Sequence, residues 1–134
     1  GSEMCIRDSA FRTCLSSDSP YFVNREYLTP KDAIDLIRAS GGIPVLAHPL
    51  LYKLSVSQIR RLLDDLTSYG LCGIEAIYSR NRGTDEAFVR KLADEYHLFI
   101  TGGSDFHGAN KPDIELGRGT GNLRVPVMLL ENLR

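Results

Sequence analysis

From Thr29 onward, short apolar runs alternate with amphipathic stretches, and a glycine or proline marks each change of period. That alternation narrows the folds open to the chain more than any other feature. Thr29-Pro30 reads as an N-cap and first helical position; Ala33, Ile34 and Ile37 share one face, and Gly41-Gly42 ends the helix. Ile43 to Ala47 is a short apolar run bounded by Gly and Pro, hence a buried strand. A second helix fits Val56 to Tyr69, striped by Ile59, Leu62, Leu63, Leu66 and Tyr69 and stopped by Gly70. Cys72 to Tyr78 is the next strand. Thr84 caps a third helix that keeps Phe88, Leu92, Ala93 and Tyr96 on one face and Asp85 and Glu86 at its positive end. Leu98 to Gly102 is the third strand, and Val125 to Leu133 a closing helix begun by Pro126.

Strands that are apolar throughout and separated by amphipathic helices imply an α/β fold, with parallel pairing, right-handed crossovers and helix-covered faces. Such sheets place chemistry at the carboxyl ends of their strands, where His48, Glu75 with Tyr78, and Asp105 with His107 all fall. One rim should collect all of them. A chain of 134 residues that is 43% hydrophobic can bury the core of one modest domain. Its net charge of -1 gives no broad electrostatic footprint for nucleic acid or an anionic membrane, so any phosphate contact must be local. Cys5, Cys14 and Cys72 are an odd set without C-x-x-C spacing, which argues against a disulfide framework and a structural zinc site and for a reducing cytoplasm. No run has the length needed to cross a bilayer, and no secretion signal opens the chain. Residues 1–9 lack any periodicity and are expected to be a non-native leader. Residues 10–28 read as a surface connection with a few aromatic anchors.

Asp105-Phe106-His107 carries the clearest chemical signal. In an extended segment residues i and i+2 face the same side, so a carboxylate and an imidazole can address one object, most naturally a metal ion. Gly102, Gly103 and Gly108 leave little bulk between that pair and a ligand. The competing reading is a turn in which Asp105 caps nearby amides. His48 is either a ligand or a strand-end histidine satisfied by a backbone carbonyl. His97, at the end of a helix and on the opposite rim, reads as a dipole partner or plain surface. Glu75 lies inside a buried strand, where a carboxylate needs a partner, whether ligand, substrate or ion pair. Arg80 and Arg82 follow the second strand and can meet a phosphate or remain surface arginines; Lys111 and Arg124 share that ambiguity. Gly117, Gly119 and Gly121 hint at a phosphate-cradling loop, but no strand-to-helix fingerprint follows them.

Taken with their order and spacing, three segments resemble the PHP (polymerase and histidinol phosphatase) family of metal-dependent phosphoesterases. They are Gly41-Gly42-Ile43-Pro44-Val45-Leu46-Ala47-His48-Pro49, Gly73-Ile74-Glu75-Ala76-Ile77-Tyr78-Ser79 and Thr101-Gly102-Gly103-Ser104-Asp105-Phe106-His107-Gly108. The resemblance implies a distorted (β/α)7 barrel holding two or three manganese, zinc or iron ions. It implies metal ligation by His48, Asp105 and His107, catalytic roles for Asp105 and His107, and substrate contacts from Glu75, Arg80 and Ser104. The implied substrate is a small phosphorylated molecule, a nucleotide or a short oligonucleotide. No membrane and no stable protein partner is implied. The family's barrel opens with a His-x-His pair, and this chain has none, its histidines being His48, His97 and His107. Residues 10–134 are therefore expected to be the C-terminal part of a single PHP-like domain carrying part of the site and inactive alone. Two alternatives stand beside the phosphoesterase: a catalytically silent PHP-like structural or interaction module, and an amidohydrolase-like metal enzyme cleaving C–N bonds.

Overall fold

Local signals in the chain set the three helices. In the computed structural model, which describes Thr13 and residues 27–133, helix α1 spans Pro30–Ala39. The Thr29 side chain accepts the Asp32 amide at its start, and Gly41 beyond its end takes a φ of 75° that costs glycine nothing. Helix α2, Val56–Ser68, opens with a reciprocal capping box: Ser55 Oγ accepts the Gln58 amide and the Gln58 side chain accepts the Ser55 amide. Helix α3 spans Asp85–Glu95. Thr84 stands at its N-cap, but its side chain makes no capping bond, contrary to the sequence expectation. Asp85 instead accepts the Arg82 amide at 2.8 Å and fixes the turn that enters the helix.

Strands β1 (Val45–Leu46), β2 (Gly73–Tyr78) and β3 (Phe99–Gly103) form one parallel sheet in the order β1-β2-β3. This is the α/β arrangement the alternation implies. β1 is shorter than expected, and the final segment differs in kind. Val127–Leu133 forms 3₁₀ turns rather than an α-helix begun by Pro126. Val127, Met128 and Leu130 are exposed there, so no apolar stripe is being buried that would reward a full helix.

The core lies where α1, α2 and α3 pack on one face of the sheet. Ile34, Ile59, Leu63, Leu66, Ile74, Ala76, Val89 and Leu92 form it, with Leu63, Ile74 and Leu92 wholly sealed from solvent. Ile74 and Ala76, two apart on β2, face these helices as strand alternation requires. The leader at residues 1–9, Cys5, Cys14 and most of the 10–28 connection lie outside the described residues. Among those described, no helix is long and apolar enough to cross a membrane.

Candidate active site at the strand ends

β1 leads into His48, β2 carries Glu75 and Tyr78, and β3 runs on to Asp105. These residues meet on one rim. His48 holds a left-handed backbone, φ 33° and ψ 57°, and turns the chain into a 3₁₀ segment at Pro49–Tyr52. For a residue with a bulky side chain this conformation is costly and persists only where the surroundings dictate it. Here its amide donates to Glu75 Oε2 at 2.9 Å, tying the end of β1 to the middle of β2. Room for that carboxylate comes from β3, because a Cβ on Gly103 would stand 3.0 Å from Glu75 Oε1.

The sheet register explains how Glu75 and Tyr78 serve the same cluster. Three residues apart, they would face opposite sides of a regular strand. Glu75 pairs with Thr101 but Ile77 already pairs with Gly102, so β2 carries an extra residue and resets the alternation. The Tyr78 hydroxyl donates to Asp105 Oδ2 at 2.9 Å, and the ring packs 5.6 Å from the His48 ring, centroid to centroid. Lys111 Nζ donates to the same Asp105 oxygen at 2.6 Å. His107 Nδ1 lies 2.8 Å from the Asp105 carbonyl oxygen and 3.4 Å from Oδ1. Asp105 and His107 thus come together as expected, but not through extended backbone. Asp105 is left-handed at φ 56°, and His107 begins the 3₁₀ turn Gly108–Asn110, so a tight turn brings the pair together.

Charge in the cluster is divided between its two carboxylates. Burial alone would raise Asp105, but the Lys111 and Tyr78 hydrogen bonds, with the Lys111 and His107 charges, hold it below its usual range. Burial raises Glu75; the His48 amide offsets part of this and the Asp105 charge adds to it. Burial, the bond to Asp105 and its charge push the Tyr78 phenol up to about 12, so at neutral pH it is a donor.

Other sequence candidates have plainer places. Ser104 is buried and its hydroxyl accepts the Gly117 amide at 3.2 Å, which ties the end of β3 to the glycine-rich stretch. The glycine-rich stretch it holds is a tight turn, with Glu115 and Gly119 exchanging backbone bonds, so those amides do not form an open cradle. Arg80 is exposed at the end of β2, where its charge acts on Tyr78. His97 is exposed in a left-handed C-terminal position after α3, away from the rim.

A metal ion needs several donors converging on one point, and among the described residues no three His, Cys, Asp or Glu side chains do so. Asp105 Oδ2 is already taken by Lys111 and Tyr78. By themselves the described residues do not fit a metal ion. What they retain is the right chemistry in too small a number: an ionised carboxylate, and a buried imidazole nitrogen, His48 Nδ1, without a hydrogen-bond partner.

No family model matches the chain. Individual relatives do. Over 108 residues it is 34% identical to a 5'-3' exoribonuclease of Escherichia coli, a match covering 81% of this chain and 36% of the relative. Over 110 residues it is 32% identical to a 3',5'-nucleoside bisphosphate phosphatase of Chromobacterium violaceum, covering 81% and 38%. A solved candidate metal-dependent phosphoesterase of Bifidobacterium adolescentis superimposes with a TM-score of 0.63 at 27% identity, over 95% of this chain and 43% of that one. The chain is similar to phosphoesterases of the PHP family over most of its length. It spans little more than a third of the length of the curated relatives it matches. In this chain, sequence reasoning undervalued Lys111, read as a possible phosphate contact, which pairs with Asp105. A lysine shortly after a strand-end aspartate, across a glycine-bearing turn, was the available signal. The extra residue in β2 left no signal at all.

Proposed function

We propose that the protein is a metal-dependent phosphoesterase hydrolysing phosphate esters of nucleotides or short oligonucleotides, with the rim of this sheet as one wall of its centre. One observation carries the reading: His48, Glu75, Tyr78, Asp105 and His107 converge at the carboxyl ends of successive parallel strands. In α/β folds that rim is where ligands bind. The names of the relatives, an exoribonuclease and a bisphosphate phosphatase, support phosphate-ester substrates. The parallel sheet would be part of a distorted (β/α)7 barrel. His48, Asp105 and His107 would be this chain's contribution to a divalent-metal site, manganese, zinc or iron, that takes its remaining ligands from beyond the described residues. Asp105 and His107 would be its catalytic residues, and Glu75 and Arg80 its substrate contacts. Glu75 positions the His48 turn, and Tyr78 and Lys111 hold Asp105 ionised and oriented.

The test is manganese-dependent hydrolysis of a dinucleotide and a nucleoside bisphosphate by this chain within a polypeptide of its relatives' length. Asp105→Ala should lower turnover by about a hundredfold or more. Turnover unchanged by that substitution would remove the proposed role. One observation favours the silent-module reading: the Lys111 ammonium already neutralises Asp105. Under that reading manganese gives no turnover in the unsubstituted protein.

A further inference from the structure

In the strand-end cluster, Asp105 Oδ2 already has two donors, Lys111 Nζ at 2.6 Å and the Tyr78 hydroxyl at 2.9 Å. A carboxylate oxygen offers two lone pairs. Both are occupied, so a cation reaches Oδ2 only by taking the place of one of these donors. The two are held differently. Tyr78 is a buried, rigid ring at the end of β2. Lys111 carries a point charge at the tip of a flexible four-carbon stem, and its side chain is 27% exposed against 18% for that of Asp105. A cation arriving from solvent meets the lysine.

The backbone beneath that stem is fixed. Lys111 closes the 3₁₀ turn Gly108–Asn110, its amide donating to the Gly108 carbonyl at 3.1 Å. Its own carbonyl accepts the amide of Ile114, a buried residue, at 3.1 Å. Gly108 permits the turn with a φ of 57°. Held on both sides, the segment sets the ammonium on Asp105 and leaves the stem able to swing outward while the chain stays in place. A partly buried carboxylate without a counter-charge is costly, and the ammonium removes that cost. A divalent ion carries twice the charge but must shed water, and one carboxylate does not offset that loss without further donors.

We propose that Lys111 is an internal cation that closes Asp105 to metal ions until further ligands join the site, and that this closure is why the described residues do not fit a metal ion by themselves. It rests on the reading of Asp105 as a metal ligand and adds to it control over when that ligand becomes available.

The test is manganese binding by the chain itself, measured by water proton relaxation, with the backbone amide spectrum verifying the fold of each variant. Lys111→Met and Lys111→Gln remove the charge and keep most of the stem, and each should bind manganese about tenfold more tightly than the unsubstituted chain. Paramagnetic broadening in them should centre on Asp105 and His107. Lys111→Arg keeps the charge and should stay at the unsubstituted level, and Asp105→Asn added to Lys111→Met should abolish the gain. The glutamine variant, which still offers Asp105 a donor, serves if the methionine variant does not fold. Unchanged affinity in the neutral variants, an arginine variant that gains as much as they do, or a gain that survives Asp105→Asn would each overturn the closure. Hydrolysis separates the two ideas. Asp105-dependent turnover in the longer polypeptide, with no gain in the Lys111 variants, sinks the closure alone. A gain in those variants beside a longer polypeptide without turnover sinks the phosphoesterase reading and keeps the closure.

Discussion

On the face where α2 and α3 pack, Leu63, Ile74, Val89 and Leu92 are sealed from solvent, and their positions follow a helical or strand period. A few residues further along the same strands, His48 and Asp105 hold left-handed backbone, and a buried imidazole nitrogen lacks a partner. The first region gains stability from apolar area removed from water, at about 25 cal/mol per Å². The second spends some of it, since a left-handed conformation costs on the order of 1–3 kcal/mol for each such residue. Strain of that kind is kept where the neighbours impose it, and here they do, through the Glu75, Tyr78 and Lys111 bonds. One face holds the fold together, and the rim uses part of that stability to bring unlike groups close.

The largest effect should come from the packed face. Leu63→Ala removes a side chain with 0% exposure and should cost about 2–5 kcal/mol by denaturant unfolding. A loss no larger than that of a rim substitution would break the contrast. At the rim, His48→Gly removes the ring but relieves the φ of 33°, so stability should change by less than about 1 kcal/mol. A loss matching Leu63→Ala would mean that the imidazole belongs to the core. The smallest effect should lie on the outer side of the helices, where Arg60 bonds Glu95 at 2.6 Å in the open. That bond holds Glu95 below its usual value of 4.5, so its contribution is present above that pH and is lost as pH falls through the depressed value. Glu95→Gln should flatten the acid limb of the stability curve and leave the neutral plateau nearly in place.

The same contrast explains what could be read in advance. Helices starting at Pro30, Val56 and Asp85, and strands near Val45, Gly73 and Phe99, were legible because Thr29, Gly41, Gly70 and the apolar stripes all agree. That His48 and Asp105 share a rim was legible too, since parallel strands deliver their carboxyl ends to one edge. How the groups meet was not. One extra residue in β2 decides that Glu75 and Tyr78 work on the same side, and no residue type announces it. The turn that joins Asp105 to His107 depends on a left-handed aspartate, a state that tertiary contacts impose against its own preference. Val125 to Leu133 carried a helical pattern, yet little apolar surface is buried along it and the backbone tightens to 3₁₀.

The most direct test of the shared rim is a nuclear Overhauser measurement on the chain with the His48 and Tyr78 rings assigned. With ring centroids 5.6 Å apart, cross-peaks between the His48 and Tyr78 ring protons are expected. Assigned rings without cross-peaks would place the ends of β1 and β2 apart and contradict the account.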